Sequence, residues 1–255
     1  MAERQGAVAR HPGTADPHAL RQNDPEVVRA EYASETRFLA RRAAFASSSG
    51  PSALDALFDA VAEAHPRRYL EVGCGPGDMA ARVADELGIE VVALDISPRM
   101  VELTQARGID AQVGDVQELP FADGSFDCAV AAWMLYHVPD LDRGLAELAR
   151  VLRPGGRLVA TTNSIDNLGE LWALVGRDRS SEDVRFFAEN GEEPLRRHFD
   201  SVERRDVIGE MSFTREAVRD YVANSIGHAH LVDSIPEFDE PLGVTRHMTI
   251  FVATK

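Results

Sequence analysis

Cysteine is scarce in this chain: Cys74 and Cys128 are the only two. Two isolated thiols make neither a disulfide framework nor a metal-binding cluster, and each is most simply a small buried residue. Lysine is scarcer still, with Lys255 its single copy, a bias that reads as codon usage and carries no functional meaning. No apolar run approaches the roughly 18 residues that a membrane helix needs. The opening stretch MAERQGAVARHPGTADPHALRQNDPE lacks the apolar centre of a signal peptide. These absences predict a cytoplasmic protein with no membrane partner. Charge is one-sided, with a formal net charge of −15. Such a chain repels phosphate backbones, which argues against nucleic acid as a partner. What remains, 255 residues that are 44% hydrophobic, suffices for one α/β domain, alone or with a cap.

The chain reads in three parts. Residues 1–22 are polar, with Pro12, Gly13 and Pro17, and are expected to form a flexible N-terminus. From Asp24, a candidate N-cap followed by Pro25, the spacing predicts a helix or helix pair with Val28, Tyr32, Leu39 and Phe45 near one stripe. A further helix is expected over 52–64. Short apolar strands then alternate with helices: strands at 69–72, 91–95, 111–113, 127–133 and 157–161, and helices at 79–87, 98–107 and 141–152. RPGG, residues 153–156, reads as a turn. Apolar strands flanked by helices predict a parallel sheet covered on both faces. Beyond Thr162 the pattern loosens into an insertion of short helices over 163–198, a strand at 201–208, a helix at 214–225 and a closing strand at 248–254.

The segment RRYLEVGCGPGDMAARVADELG, residues 67–88, sets three glycines between a strand and a helix. Glycine costs conformational entropy on folding, so its use here points to a tight turn or to a ligand lying close to the backbone. In open α/β sheets ligands bind beyond the carboxyl ends of the strands, where this turn lies. A dinucleotide fingerprint needs G-x-G-x-x-G. From Gly73 the third position is Asp78 and from Gly75 it is Ala80, and an acid beside a pyrophosphate is repelled. The turn suits a ligand without phosphates and disfavours a nicotinamide oxidoreductase.

Four segments in order, YLEVGCGPG, VVALDISPRM, GDVQELPFADGSFDCAVAAWMLYHV and LARVLRPGGRLV, resemble the motifs of class I S-adenosylmethionine-dependent methyltransferases. The likeness is to the small-molecule branch that includes ubiquinone and sterol enzymes and carries a methyltransferase type 11 domain, and it covers residues 67–162. It implies an α/β fold: a doubly wound, mostly parallel, seven-stranded Rossmann-like sheet with helices on both faces. With it goes a single methyltransferase domain over 23–255, a cofactor-binding core at 67–162 and a small helical cap from 23–48 and 163–198. The implied cofactor is S-adenosyl-L-methionine. The resemblance sets the backbone of Gly73, Cys74, Gly75 and Gly77 against its amino-acid and ribose parts. Glu71 would attract the amino group and Asp95, with Ile96 beside it, would accept from the ribose diol. Met100 would pack on the adenine, and Asp115 and the Val116 amide would meet the adenine edge. Ala132 and Trp133 would close the site at the fourth strand. On the residues themselves, Tyr32 and Arg37 of the N-terminal helix are candidates to close over the cofactor, the arginine pairing with its carboxylate, or else to serve as packing and solvated charge.

Methyl transfer from a sulfonium is an in-line displacement that needs alignment and exclusion of water, which accounts for the lack of a Ser-His-Asp or paired-carboxylate set. The Asp/Asn-Pro-Pro-aromatic motif of adenine-amino DNA enzymes is replaced by AWML. The metal-binding aspartate of catechol-type enzymes is also lacking, and two cysteines are too few for arsenic chemistry. A small organic acceptor remains, with the methylated atom open. Candidates for it are Tyr136, His137 and His228. His137 is a candidate general base, since imidazole titrates near neutrality, or a residue that fixes its loop. His228 and His230 have the spacing of a metal pair but no third ligand, so no metal is expected. The chain is expected to be a monomer or homodimer. The rival reading is a non-catalytic protein that binds S-adenosylmethionine or S-adenosylhomocysteine.

Overall fold

Seven strands make one sheet in the order β3-β2-β1-β4-β5-β7-β6. They are β1 Arg68–Val72, β2 Glu90–Asp95, β3 Asp110–Val113, β4 Phe126–Ala132, β5 Leu152–Asn163, β6 Ser201–Phe213 and β7 Leu242–Thr254. The computed structural model describes residues 23–45, 49–177 and 186–255; the polar stretch 1–22 expected to be flexible lies outside the described residues. Strands β1 to β5 run parallel, and β7 is antiparallel to both its neighbours. Chain order reverses between β1 and β4, which opens a crevice beyond their carboxyl ends.

The helices are α1 Pro25–Glu31, α2 Thr36–Ala43, α3 Ala53–Ala62, α4 Asp78–Leu87, α5 Pro98–Gln105, α6 Leu141–Val151, α7 Gly169–Leu174, α8 Glu192–Arg196 and α9 Arg215–Ala223. Five of their starts are written in the sequence as caps. Asp24, Ser52, Ser97, Asp140 and Thr214 each accept a backbone N–H from the first turn, satisfying donors that a helix start leaves orphaned. Alternating strand residues face opposite sides. Leu70, Ala129 and Leu158 pack with Leu145 and Leu148 of α6, whereas Tyr69, Val130 and Val159 pack with Leu57 of α3 and Val83 of α4.

Three readings change. β6 and β7 each run 13 residues, well past the expected 201–208 and 248–254. Their extra length projects beyond the sheet and joins Leu171, Trp172 and Val218 in a third apolar cluster through Met211, Phe213 and Val244. RPGG lies inside β5 as an irregularity, with a register shift opposite Phe126 and Cys128 and Gly155 at φ +75°. The N-terminal stripe also breaks. The chain turns between α1 and α2, resetting helical phase, so Leu39 is exposed and Phe38 faces inward instead.

Candidate functional site

A cavity of about 540 Å³ lies over the crevice. Its floor is the glycine turn. Gly73, Gly75 and Gly77 all adopt left-handed backbone, at φ +65°, +53° and +78°, conformations that cost a side-chain-bearing residue dearly. Their neighbours differ. A Cβ on Gly73 would lie 2.8 Å from the Met134 side chain, and one on Gly77 2.7 Å from Thr104, whereas one on Gly75 would meet only Phe38 at 3.9 Å. Gly77 thus lets α4 and α5 approach, and Gly75 leaves its outer side open to the cavity.

Beside the turn sit three carboxylates. Asp95, at the end of β2, is buried. Its Oδ2 accepts the Gly75 N–H at 2.9 Å and its Oδ1 the Ser97 N–H at 2.8 Å. Those bonds fix the carboxylate while each oxygen keeps lone-pair capacity toward the cavity. Burial raises its pKa, and the backbone N–H groups of Ser97, Gly75 and Ile96 oppose the rise. Glu71, on β1, is 3% exposed and accepts from the Tyr69 hydroxyl at 3.3 Å. Burial pushes its pKa up to about 8, with the Tyr69 bond opposing and the charges of Asp78 and Asp95 adding. Asp78 opens α4 and is held by Arg42 and by Arg107 at 2.6 Å. Two arginines thus offset Asp78 and burial keeps a proton on Glu71, which a cation placed beside it would displace. The thiol of Cys74 is driven far up by burial and is no nucleophile.

The remaining walls come from other loops. Asp115 and Val116 follow β3, with Asp115 accepting from the Gln117 N–H at 2.9 Å. Ala132 and Trp133 end β4. Trp133 has φ +51°, a strained value for an aromatic residue, and its N–H donates to Thr161 O at 2.8 Å. The 3₁₀ turn Leu135–His137 brings Tyr136 and His137 to the wall. His137 Nε2 is 3.3 Å from the Tyr32 hydroxyl, so α1 and the fourth-strand loop meet across the mouth. An adjoining polar chamber of about 140 Å³ shares Tyr32, Arg41 and His137 with the main cavity and adds Trp172 and His228. The His228 and Trp172 rings are 5.0 Å apart.

Three expected residues do not reach the cavity wall. Met100 is fully buried in the core. Gly77 serves helix packing. Arg37 points outward, 57% exposed, and pairs with Glu31. The arginines over the cavity are instead Arg41 and Arg42. Arg41 pairs with the buried Glu31 and donates to Asn224 O. Ser97 Oγ donates to Tyr32 O at 2.7 Å, and Arg99 grips Glu35 through two nitrogens at 2.9 and 3.0 Å. With Arg42–Asp78, these contacts clasp α1 and α2 over the mouth. Sequence reasoning also missed Arg246, a charge at an inward position between Val244 and Met248. Among the described residues no cluster of His, Cys, Asp or Glu is built to hold a metal, and no helix is long and apolar enough to cross a membrane.

Comparison with known proteins gives a consistent picture. The family model described as a methyltransferase domain matches residues 70–160. An uncharacterized methyltransferase of Mycobacterium bovis is 36% identical over 180 residues, covering 68% of this chain and 69% of its own. A demethylmenaquinone methyltransferase of Beutenbergia cavernae is 39% identical over 123 residues, 48% of this chain and 51% of its own. In fold, the chain is similar to a phosphoethanolamine N-methyltransferase of Haemonchus contortus solved with S-adenosylhomocysteine. The TM-score is 0.60 at 19% identity, over 92% of this chain and 61% of that one.

Proposed function

The chain belongs to the class I S-adenosylmethionine-dependent methyltransferases of the small-molecule type, and from that membership we propose that it methylates a small organic acceptor at the cavity over the glycine turn. The observation that carries the proposal is the pairing of an open glycine turn with buried Glu71 and Asp95. The residues fit S-adenosyl-L-methionine on chemical grounds. That ligand bears a sulfonium and an ammonium, and the β1–β2 end of the cavity gathers Glu71, Asp95 and Asp78. It also bears a diol, and Asp95 is held with lone pairs to spare.

The bound cofactor supplies an electrophilic methyl group. Around it the chain's own residues have separable tasks. Asp95 accepts from the diol and Glu71 faces the ammonium. Asp115 and the Val116 amide hold the adenine edge, and Ile96 packs beside it. Trp133 and Ala132 bound the space in which an acceptor aligns. His137, with Tyr32 against its Nε2, takes the proton that a hydroxyl or ammonium acceptor must lose. Tyr136 and His228 belong to the acceptor side, in the space between the cavity and its adjoining chamber. The clasp of α1 and α2 excludes water. In the Beutenbergia cavernae relative the acceptor is, by name, demethylmenaquinone; here it is a small molecule whose identity a screen must supply. Incubating the protein with methyl-labelled cofactor and acceptor pools, then reading product masses, tests the proposal. A labelled product with stoichiometric S-adenosylhomocysteine supports it. Tight S-adenosylhomocysteine binding with no transfer to any pool favours a non-catalytic binder.

A further inference from the structure

Among the described residues, Arg246 is a charge with no counter-charge. It lies on β7, 5% exposed, and lines the main cavity. Its Nη2 donates to Ser49 O at 3.2 Å and Pro51 O at 3.0 Å. Its Nε has no partner, and no carboxylate pairs with the guanidinium among the described residues. Burying an unpaired cation is expensive. The fold nevertheless makes room for this one, because a Cβ on Gly209 across the hairpin would lie 2.6 Å from Nη2. Burial alone pulls the Arg246 pKa down, with no neighbouring carboxylate to restore it.

A second feature converges on the same place. Pro51, whose carbonyl Arg246 holds, immediately precedes the N-cap of α3, and Ser52 and Ala53 line the cavity there. A helix start carries partial positive charge. The one acid in that first turn, Asp55, is occupied by Arg82 at 2.7 Å. A guanidinium and a helix start each favour an anion in the space they share.

The position says which anion. From β2, which carries Asp95, to β7 is four steps across the sheet, or about 19 Å at ordinary strand spacing. A cofactor seated over β2 and β1 leaves the β7 end to the other reactant. We propose that Arg246 and the start of α3 form an anion subsite that binds a carboxylate or phosphate group of the methyl acceptor. This rests on the function proposed above. The cavity is then bipolar, with an acidic end for the cationic cofactor and a basic end for an anionic acceptor. The two ends sort the reactants by sign before any shape is read.

The test is titration calorimetry with benzoate and with inorganic phosphate, on the free protein and on protein saturated with S-adenosylhomocysteine. Expected is one saturable site per chain for at least one anion, present in both states. Arg246→Gln should weaken it at least tenfold, and Arg246→Lys should restore part of the loss. The better of the two anions tells carboxylate from phosphate. Both variants should keep the wild-type Tm within a few degrees and bind S-adenosylhomocysteine within twofold of wild type. A folded Arg246→Gln that loses S-adenosylhomocysteine affinity tenfold would assign the arginine to the cofactor's own carboxylate and overturn the proposal. No saturable anion binding to wild type, or equal binding to Arg246→Gln, also overturns it. Failure of wild type to bind S-adenosylhomocysteine would instead count against the proposed function, while the free-protein titration still decides the anion subsite.

Discussion

Glu71 offers the sharpest quantitative test, because its ionisation opposes folding and favours ligand. An ordinary glutamate titrates near 4.5, and burial lifts Glu71 to about 8. The folded state therefore holds a proton that the unfolded chain gives up. The stability from that proton is fully present below pH 4.5 and is withdrawn as pH rises to 8. The loss is about 5 kcal/mol once complete, of which about 3 kcal/mol has occurred by pH 7. Glu71→Gln carries no such proton, so its Tm should fall less than wild type between pH 5 and 8. An ammonium placed beside Glu71 reverses the preference and expels the proton. At pH 7 the carboxyl is about nine-tenths protonated, so binding S-adenosylhomocysteine should release about 0.9 proton. Affinity should rise about ninefold from pH 6 to 7 and about fivefold more to pH 8. Calorimetry in two buffers of different ionisation enthalpy counts the proton directly. Binding without proton release, or a pH profile that Glu71→Gln leaves unaltered, would refute the placement of Glu71 against the ammonium.

Asp95→Ala should weaken S-adenosylhomocysteine binding by about 2–4 kcal/mol through loss of charge-assisted hydrogen bonds, roughly thirty- to a thousandfold; calorimetry on the folded variant checks it. Gly75→Val should abolish binding, since a branched side chain would occupy the open side of the turn and resist φ +53°. A folded variant with normal affinity would confine that glycine to the turn. The α1–α2 clasp rests on partly exposed ion pairs such as Arg42–Asp78 and Arg99–Glu35, which solvent screens and weakens, so it can open for loading. Amide exchange over residues 25–43 should slow when S-adenosylhomocysteine binds, and Arg42→Ala should raise the exchange of the free protein. Exchange indifferent to ligand would make these helices scaffold.

Strands β1 and β2 were legible because each is a short, largely apolar run closed by a turn or capping residue, as at Asp95-Ile96-Ser97-Pro98, whereas β5 runs through RPGG. The glycine turn was legible for the same local reason. What was not legible depends on partners distant in sequence. Gly77 looks like a site glycine until Thr104 is brought against it. Arg37 and Arg41 differ by one helical turn, and only the packing of α2 decides which is covered. Met100 reads equally as core or cavity until α5 is placed. The length of the β6–β7 hairpin was hidden because 242–247 carries glycine, threonine and arginine. Still, Val244, Arg246 and Met248 keep the two-residue period of an inward face, and a charge on such a face was the available sign of a subsite.

The place of β7 between β5 and β6 has a consequence for how the molecule is made. During synthesis β6 leaves the ribosome about thirty residues before Thr245 and neighbouring residues, its eventual partners, exist. Until then β5 shows an open edge and β6 lacks its partner strand, the state in which nascent chains aggregate. The same late strand delivers Arg246, so the basic end of the cavity forms only when the sheet closes. A chain stopped before Leu242 would keep the glycine turn and the acidic end, yet lose its edge pairing and its anion subsite together. Ribosome-bound intermediates of that length are therefore the ones expected to need a chaperone.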